Sequence, residues 1–218
     1  MINNSKYDFT DGTYSSKAFD GSKQKVYVDN EEESLFIYPI KMEENTHVID
    51  TSIYKPLLLP QNKSSIPLPS LLFRQNSFDI DFLTILIKVR PSEEDLPTQF
   101  NTNFNGAVYF GYRSDIYKIN YNPTPLNHFN RKTTHIGLSI GGFLGVGSTD
   151  MNPFVTSNQI NEEYDGLVIS KGIAGILGFN NFNVGITLGF DTLPDRNRRF
   201  WIYQNKPWLG LALGLNLN

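Results

Sequence analysis

The stretch from Phe182 to Asp191 sorts its side chains by parity. Phe182, Val184, Ile186, Leu188 and Phe190 stand at even positions, and Asn183, Gly185, Thr187, Gly189 and Asp191 at odd ones. Side chains of a β-strand point alternately to opposite faces, so residues of one parity share an environment. One face is therefore wholly apolar and the other small or polar. The same pattern returns at the end of the chain, where Leu209, Leu211, Leu213, Leu215 and Leu217 oppose Gly210, Ala212, Gly214 and Asn216. From Ile136 to Gly147, Ile136, Leu138, Ile140, Leu144 and Val146 oppose Gly137, Ser139, Gly141, Phe143, Gly145 and Gly147, and Gly142 alone interrupts the apolar row. Nowhere does a helical i, i+3, i+4, i+7 pattern compete, so the class is all-β.

Three further segments complete the series. Between Asn105 and Asp115, Val108, Phe110 and Tyr112 oppose Asn105, Ala107, Tyr109, Gly111, Arg113 and Asp115. Leu83, Ile85, Ile87 and Val89 read as another apolar row, after a parity change near Phe82 that implies a bulge. In Leu167 to Phe179 the row of Ile169, Ile173 and Leu177 also contains Lys171. Facing lipid at mid-membrane, a lysine costs ~2–4 kcal/mol, so a bulge at Gly172 is expected to turn it away.

Two environments produce such strands. In a soluble sandwich the apolar face is the core and the other face meets water. In a membrane barrel the apolar face meets lipid and the small polar face turns inward. Glycine weakens a strand and packs nothing, so a row of it suits a narrow interior, where it makes room for neighbours, better than a solvated sheet. The connections agree with a barrel that alternates long outer loops with short turns. Pro91–Asn103, Ser148–Gly166 and the stretch 191–206 are long, and Asn180-Asn181 is tight; only Asn122–His135 is longer than its place requires. Phe200, Trp201, Tyr203 and Trp208 fall at the outer rim and Phe179 and Phe182 at the tight turn, which suits an interfacial girdle.

Residues 1–70 have a different texture. Lys25-Val26-Tyr27-Val28 and Leu35-Phe36-Ile37-Tyr38 read as a hairpin, its loop holding the solvated run Glu31-Glu32-Glu33, and His47-Val48-Ile49-Asp50 as a further short strand. Pro56, Pro60, Pro67 and Pro69 mark a connector, because proline removes a ladder donor. The expected division is thus a β-rich polar region over 1–70 and a barrel over 78–218.

Composition narrows the function. A net charge of −3 without a basic stripe excludes a nucleic-acid partner. The absence of cysteine excludes disulfide scaffolds and thiol chemistry. No run approaches the ~20 apolar residues of a membrane helix. The start, Met1-Ile2-Asn3-Asn4-Ser5-Lys6, has no apolar h-region, so a barrel of this kind is expected to be a mature chain whose export signal has been removed.

Gly137-Leu138-Ser139-Ile140-Gly141-Gly142-Phe143, Val184-Gly185-Ile186-Thr187-Leu188-Gly189-Phe190 and the closing Pro207-Trp208-Leu209-Gly210-Leu211-Ala212-Leu213-Gly214-Leu215 resemble the outer-membrane β-barrel proteins of Gram-negative bacteria, small Bacteroidota-type barrels in particular. The resemblance implies an outer-membrane location and a role as anchor, adhesion factor, narrow pore or subunit of a larger complex. The chain departs from the pattern at Leu217-Asn218, where the last strand of such barrels usually closes on an aromatic residue. The apolar rows also supply fewer strands than the eight or so of closed single-chain barrels. The hairpin at 25–40 is expected to supply the missing pair, or a partner chain to close the sheet.

Little in the chain reads as chemistry. His47, His128 and His135 lack the spacing of a zinc site. His135 and Ser139 share a parity, but no third group orients them as a hydrolytic dyad. Glu162, Glu163 and Asp165 read as solvated loop carboxylates. Arg113, Asp115 and Asp191 are the candidate site: a charge network on the inward face, whose members must pair because unpaired burial is costly. The reading is therefore an all-β, antiparallel up-and-down membrane β-barrel of about six to eight strands with an N-terminal β-rich polar region. It is expected to be non-enzymatic, without cofactor or metal, an envelope anchor or subunit of a larger outer-membrane assembly. Its expected partners are the lipid bilayer and a homo-oligomer or envelope complex. The alternatives are a narrow solute channel and a soluble β-sandwich binding module.

Overall fold

The computed structural model describes residues 9–19, 21–31, 34–58, 70–93, 96–125, 129–180 and 182–216. Pro60, Pro67, Pro69, His128, Asn181, Leu217, Asn218 and the pair Glu32-Glu33 lie outside the described residues. Strands follow one another in the order β1 (Gly12–Ser16), β2 (Gln24–Asn30), β3 (Ser34–Glu43), β4 (Thr46–Ile49), β5 (Lys55–Leu58), β6 (Leu71–Arg90), β7 (Gln99–Asn101), β8 (Asn105–Pro123), β9 (Phe129–Met151), β10 (Tyr164–Phe179), β11 (Phe182–Thr192) and β12 (Pro207–Asn216). Among the described residues the protein is all-β and antiparallel, with two short 3-10 turns, Phe154–Thr156 and Arg196–Arg199, and no α-helix.

The chain divides into two compact units, Met1–Asn76 with Ser114–Ile136, and Ser77–Arg113 with Gly137–Asn218. The division falls inside β6, β8 and β9, so the stretch 114–136, expected in the C-terminal body, belongs to the first unit.

In the first unit β1, β2 and β3 form an antiparallel meander, and the far edge of β3 is shared by β4 and β5. Glu44 and Asn45, both at positive φ (45° and 69°), make the tight turn between Glu43 and Thr46, the geometry that matches strand twist in a two-residue hairpin. Pro56 sits on the edge strand β5 opposite Phe36, where a missing donor is tolerated. Val26, Val28, Leu35 and Ile37 are fully buried, while Lys25 is exposed. They pack with Phe9, Tyr14, Phe73, Tyr117 and Ile119. The Phe9 ring lies 5.0 Å from both Tyr14 and Phe73 and 5.5 Å from Tyr117. Burial of this aromatic cluster pushes the Tyr14 hydroxyl above its usual range.

In the second unit the hydrogen-bonded order runs β12-β11-β10-β9-β8-β6, and β12 also pairs with β6, so the ladder returns to its starting strand through six strands. The β2–β3 hairpin, expected to complete the set, belongs to the other unit and takes no part in this circuit of pairings. Burial is opposite to that of the first unit. Asn183, Gly185, Thr187, Gly189 and Asp191 are buried, whereas Phe182, Val184, Ile186, Leu188 and Phe190 are exposed, Ile186 by 69%. The same holds for β9, where Leu138, Ile140, Leu144 and Val146 are exposed, and for β12, where Leu209, Leu211 and Leu213 are.

The glycines of the buried face make room. A Cβ at Gly189 would overlap the Trp208 ring, one at Gly111 the Tyr109 phenol, and one at Gly178 would come within 2.6 Å of the Arg113 guanidinium. Trp208, Tyr109 and Arg113 are among the largest fully buried side chains of the molecule.

Several expectations are corrected. Leu83 and Ile85 are buried at 1% and 2%, not part of the exposed row, because the parity change in β6 lies at Leu86 and not near Phe82. Opposite it, Leu211 pairs with Ile87 and Ala212 with Ile85, leaving Leu86 as the extra residue. No bulge forms at Gly172: the β10–β11 register is unbroken from Ile169 to Phe179, and Lys171 stays on the exposed face opposite Phe190. The connection read as Asn122–His135 spans only 124–128, since β8 continues to Pro123 and β9 starts at Phe129. Trp201, Tyr203 and Trp208 are buried at 3%, 2% and 1%, so they form no exposed girdle, although Phe179 and Phe182 are exposed.

Candidate functional site

The buried face of the second unit carries ionic groups at the ends of β6 and β11. Past the bulge at Leu86, β6 aims Lys88 and Arg90 at the buried side, and β11 brings Asp191 opposite them. Lys88 Nζ donates to both Asp191 oxygens at 2.9 and 3.0 Å, and Arg90 Nη2 donates to Oδ2 at 3.0 Å. Ser170 Oγ donates to Oδ1 at 2.7 Å, and Arg90 Nη1 donates to Thr149 Oγ1 at 3.0 Å. Lys88 also stands 4.5 Å above the Trp208 ring. One carboxylate thus serves two cations in a site closed to water, where breaking a pair leaves an uncompensated charge.

Next to this cluster, the long connections share a core with the ends of β9 and β10. Met151, Val155, Val168, Leu193, Trp201 and Tyr203 pack together. The Arg90 guanidinium lies 5.3 Å from Trp201 and 5.2 Å from Tyr203, so the same arginine serves both the ion pair and the loop aromatics. Ile202 N donates to Val155 O at 3.1 Å, and Tyr164 Oη donates to Asp195 Oδ2 at 2.6 Å. Burial among these loops pushes the Tyr203 hydroxyl up. Glu162, one of the loop carboxylates, faces Arg196 at 3.6 Å on the surface.

The three candidate residues have different partners. Asp191 is held by Lys88 and Arg90; Arg113, fully buried, faces Asp79 at 3.7 Å. Asp115 belongs to the first unit, where it meets His135 Nε2 at 2.6 Å and His135 stacks on Tyr117 with centroids 4.8 Å apart. Ser139 does not join His135; its hydroxyl shares a 2.8 Å hydrogen bond with Tyr109. Sequence reading does not single out Lys88, Arg90 or Asp79. Their signal was present in the parity of β6 but depended on where the bulge lay.

Among the described residues no group of three or more metal-ligating side chains converges. No family model, curated protein or solved structure matches this chain.

Proposed function

We propose that Ser77–Arg113 with Gly137–Asn218 is a six-stranded β-barrel spanning the outer membrane of a Gram-negative envelope, and that the protein is a non-enzymatic anchor or a subunit of a larger outer-membrane assembly. The observation that carries this reading is the inversion of burial: the second unit exposes row after row of Leu, Ile, Val and Phe and encloses Lys88, Arg90, Arg113 and Asp191. Water-soluble monomers rarely expose contiguous apolar patches beyond a few hundred Å². Two features support it. The pairing of β12 with β6 leaves no free edge in the circuit, as hydrocarbon demands. β11 and β12, at 11 and 10 residues, have the length of tilted membrane strands.

The enclosed face is filled by Trp208, Tyr109, Phe143, Lys88 and Arg113, as the interior of the smallest barrels is. On this reading the Lys88–Asp191–Arg90 group holds strands together and does not line a path for solute, and the packed loops offer the surface for a partner. The test is folding of the full chain from urea into detergent or vesicles. Different gel mobility of unboiled and boiled samples, with no conductance in planar bilayers, is the expected result. A folded, monomeric protein in plain buffer overturns the membrane reading. Steady conductance abolished by Arg113→Ala overturns the anchor in favour of a channel.

A further inference from the structure

The exposed face of the second unit has one cation set into its apolar wall. Lys171 lies between Ile169 and Ile173 on β10, exposed, with Phe190 as its cross-strand partner. Among the described residues its ammonium has no carboxylate or other hydrogen-bonding partner. Beside it the wall is indented. Gly142 occupies the exposed parity of β9 between Ile140 and Leu144, and a Cβ there would meet only the Gly172 carbonyl oxygen, at 3.6 Å. The result is a shallow, open indentation lined by Lys171 and Gly142 and bordered by Phe110, Leu144, Ile173 and Phe190.

An indentation of hydrocarbon with one unpaired positive charge matches an amphiphile with one negative charge. We propose that it binds an anionic phospholipid of the surrounding bilayer, its phosphate on Lys171 Nζ and an acyl chain over Gly142 between Phe110 and Phe190. The proposal rests on the membrane reading, because only a bilayer presents such a molecule to this face. Lysine holds phosphate as a point charge and needs no rigid cradle. The missing side chain at Gly142 supplies the width for a chain where the flanking positions of the row carry Ile140 and Leu144.

The experiment is native mass spectrometry of the full chain folded in detergent, with phosphatidylglycerol or phosphatidylcholine added. The wild type is expected to retain phosphatidylglycerol about fivefold more strongly than phosphatidylcholine, the ratio that about one lysine–anionic-lipid contact supplies. Lys171→Gln is expected to abolish the preference and Gly142→Leu to weaken retention of both lipids. Equal retention of the two lipids by the wild type, or a preference that survives Lys171→Gln, overturns the site. Gel mobility on heating, recorded on the same samples, separates the two levels. A chain with no heat-sensitive folded form sinks the membrane reading itself, whereas a heat-sensitive form without lipid preference sinks the lipid site alone.

Discussion

The two units use the same alternation with opposite sense. In β2 and β3 of the first unit, Val26, Val28, Leu35 and Ile37 turn inward and Lys25 outward. In β9 and β11 of the second, Leu138, Ile140, Ile186 and Leu188 turn outward while Ser139, Thr187 and Asp191 are buried. Period 2 is common to both, so periodicity sets the secondary structure and says nothing about which face is wet. What separates them is the residue opposite the apolar one. In the first unit it is large or charged and can meet water. In the second it is chiefly Gly, Ala, Ser or Thr, which leaves space for a few big side chains to fill a narrow enclosure. The difference teaches that the size of the polar face, more than its polarity, marks which face of a strand is enclosed.

Ionic contacts sharpen the contrast most. Asp191→Ala strands Lys88 and Arg90 in a buried site and is expected to destabilise the second unit by ~3–5 kcal/mol, read as a lower urea midpoint in vesicles. A loss below 1 kcal/mol would mean that water reaches the cluster. Next in size is Ile186→Arg, at a position 69% exposed. In a bilayer it is expected to cost ~2–4 kcal/mol. On a water-facing surface the same change stays within about 0.5 kcal/mol, so a near-silent result breaks the comparison. Gly189→Ala forces a Cβ into the Trp208 ring and is expected to cost ~1–3 kcal/mol, with a change in tryptophan fluorescence that reports the displaced ring.

The smallest effect belongs to the first unit. Its surface carboxyl Asp50 is held at a pKa of about 2, chiefly by hydrogen bonds from Lys41 and then Ser52. A depressed carboxyl stabilises the fold above its ordinary range near 3.8 and loses that contribution as pH falls toward about 2. Lys41 is more than half exposed and solvent screens the pair, so its contribution is small. Asp50→Asn is therefore expected to lower neutral-pH stability slightly and to flatten the low-pH edge of the unfolding curve, wild type and variant converging as pH falls toward about 2. A shift at pH 7 comparable to that of Asp191→Ala would erase the distinction between surface and buried pairs.

Much of this was legible in the residues. The apolar rows of β9 and β11, that of β12 from Leu209 to Leu213, and the interruption at Gly142 stand in the structure as read. Lys171 was recognised as out of place, and it remains so, because the register of β10 is not interrupted. The β6 row was misread since a single extra residue reverses every side chain beyond it, and Leu86 is not distinguishable from its neighbours as a bulge. Trp208 was assigned to a rim because aromatics favour interfaces. It is buried because Gly189 and Gly210 leave a hole across two neighbouring strands that no single strand reveals.

By itself the amino-acid sequence determined that the fold class is all-β and that the later strands have one large apolar face and one small face. Both follow from local spacing and side-chain volume. Only the tertiary structure decided which carboxylate meets which cation, that β12 returns to β6, and that 114–136 joins the first unit. Those outcomes join residues far apart in the chain, such as Lys88 and Asp191, and depend on register, which one inserted residue can shift.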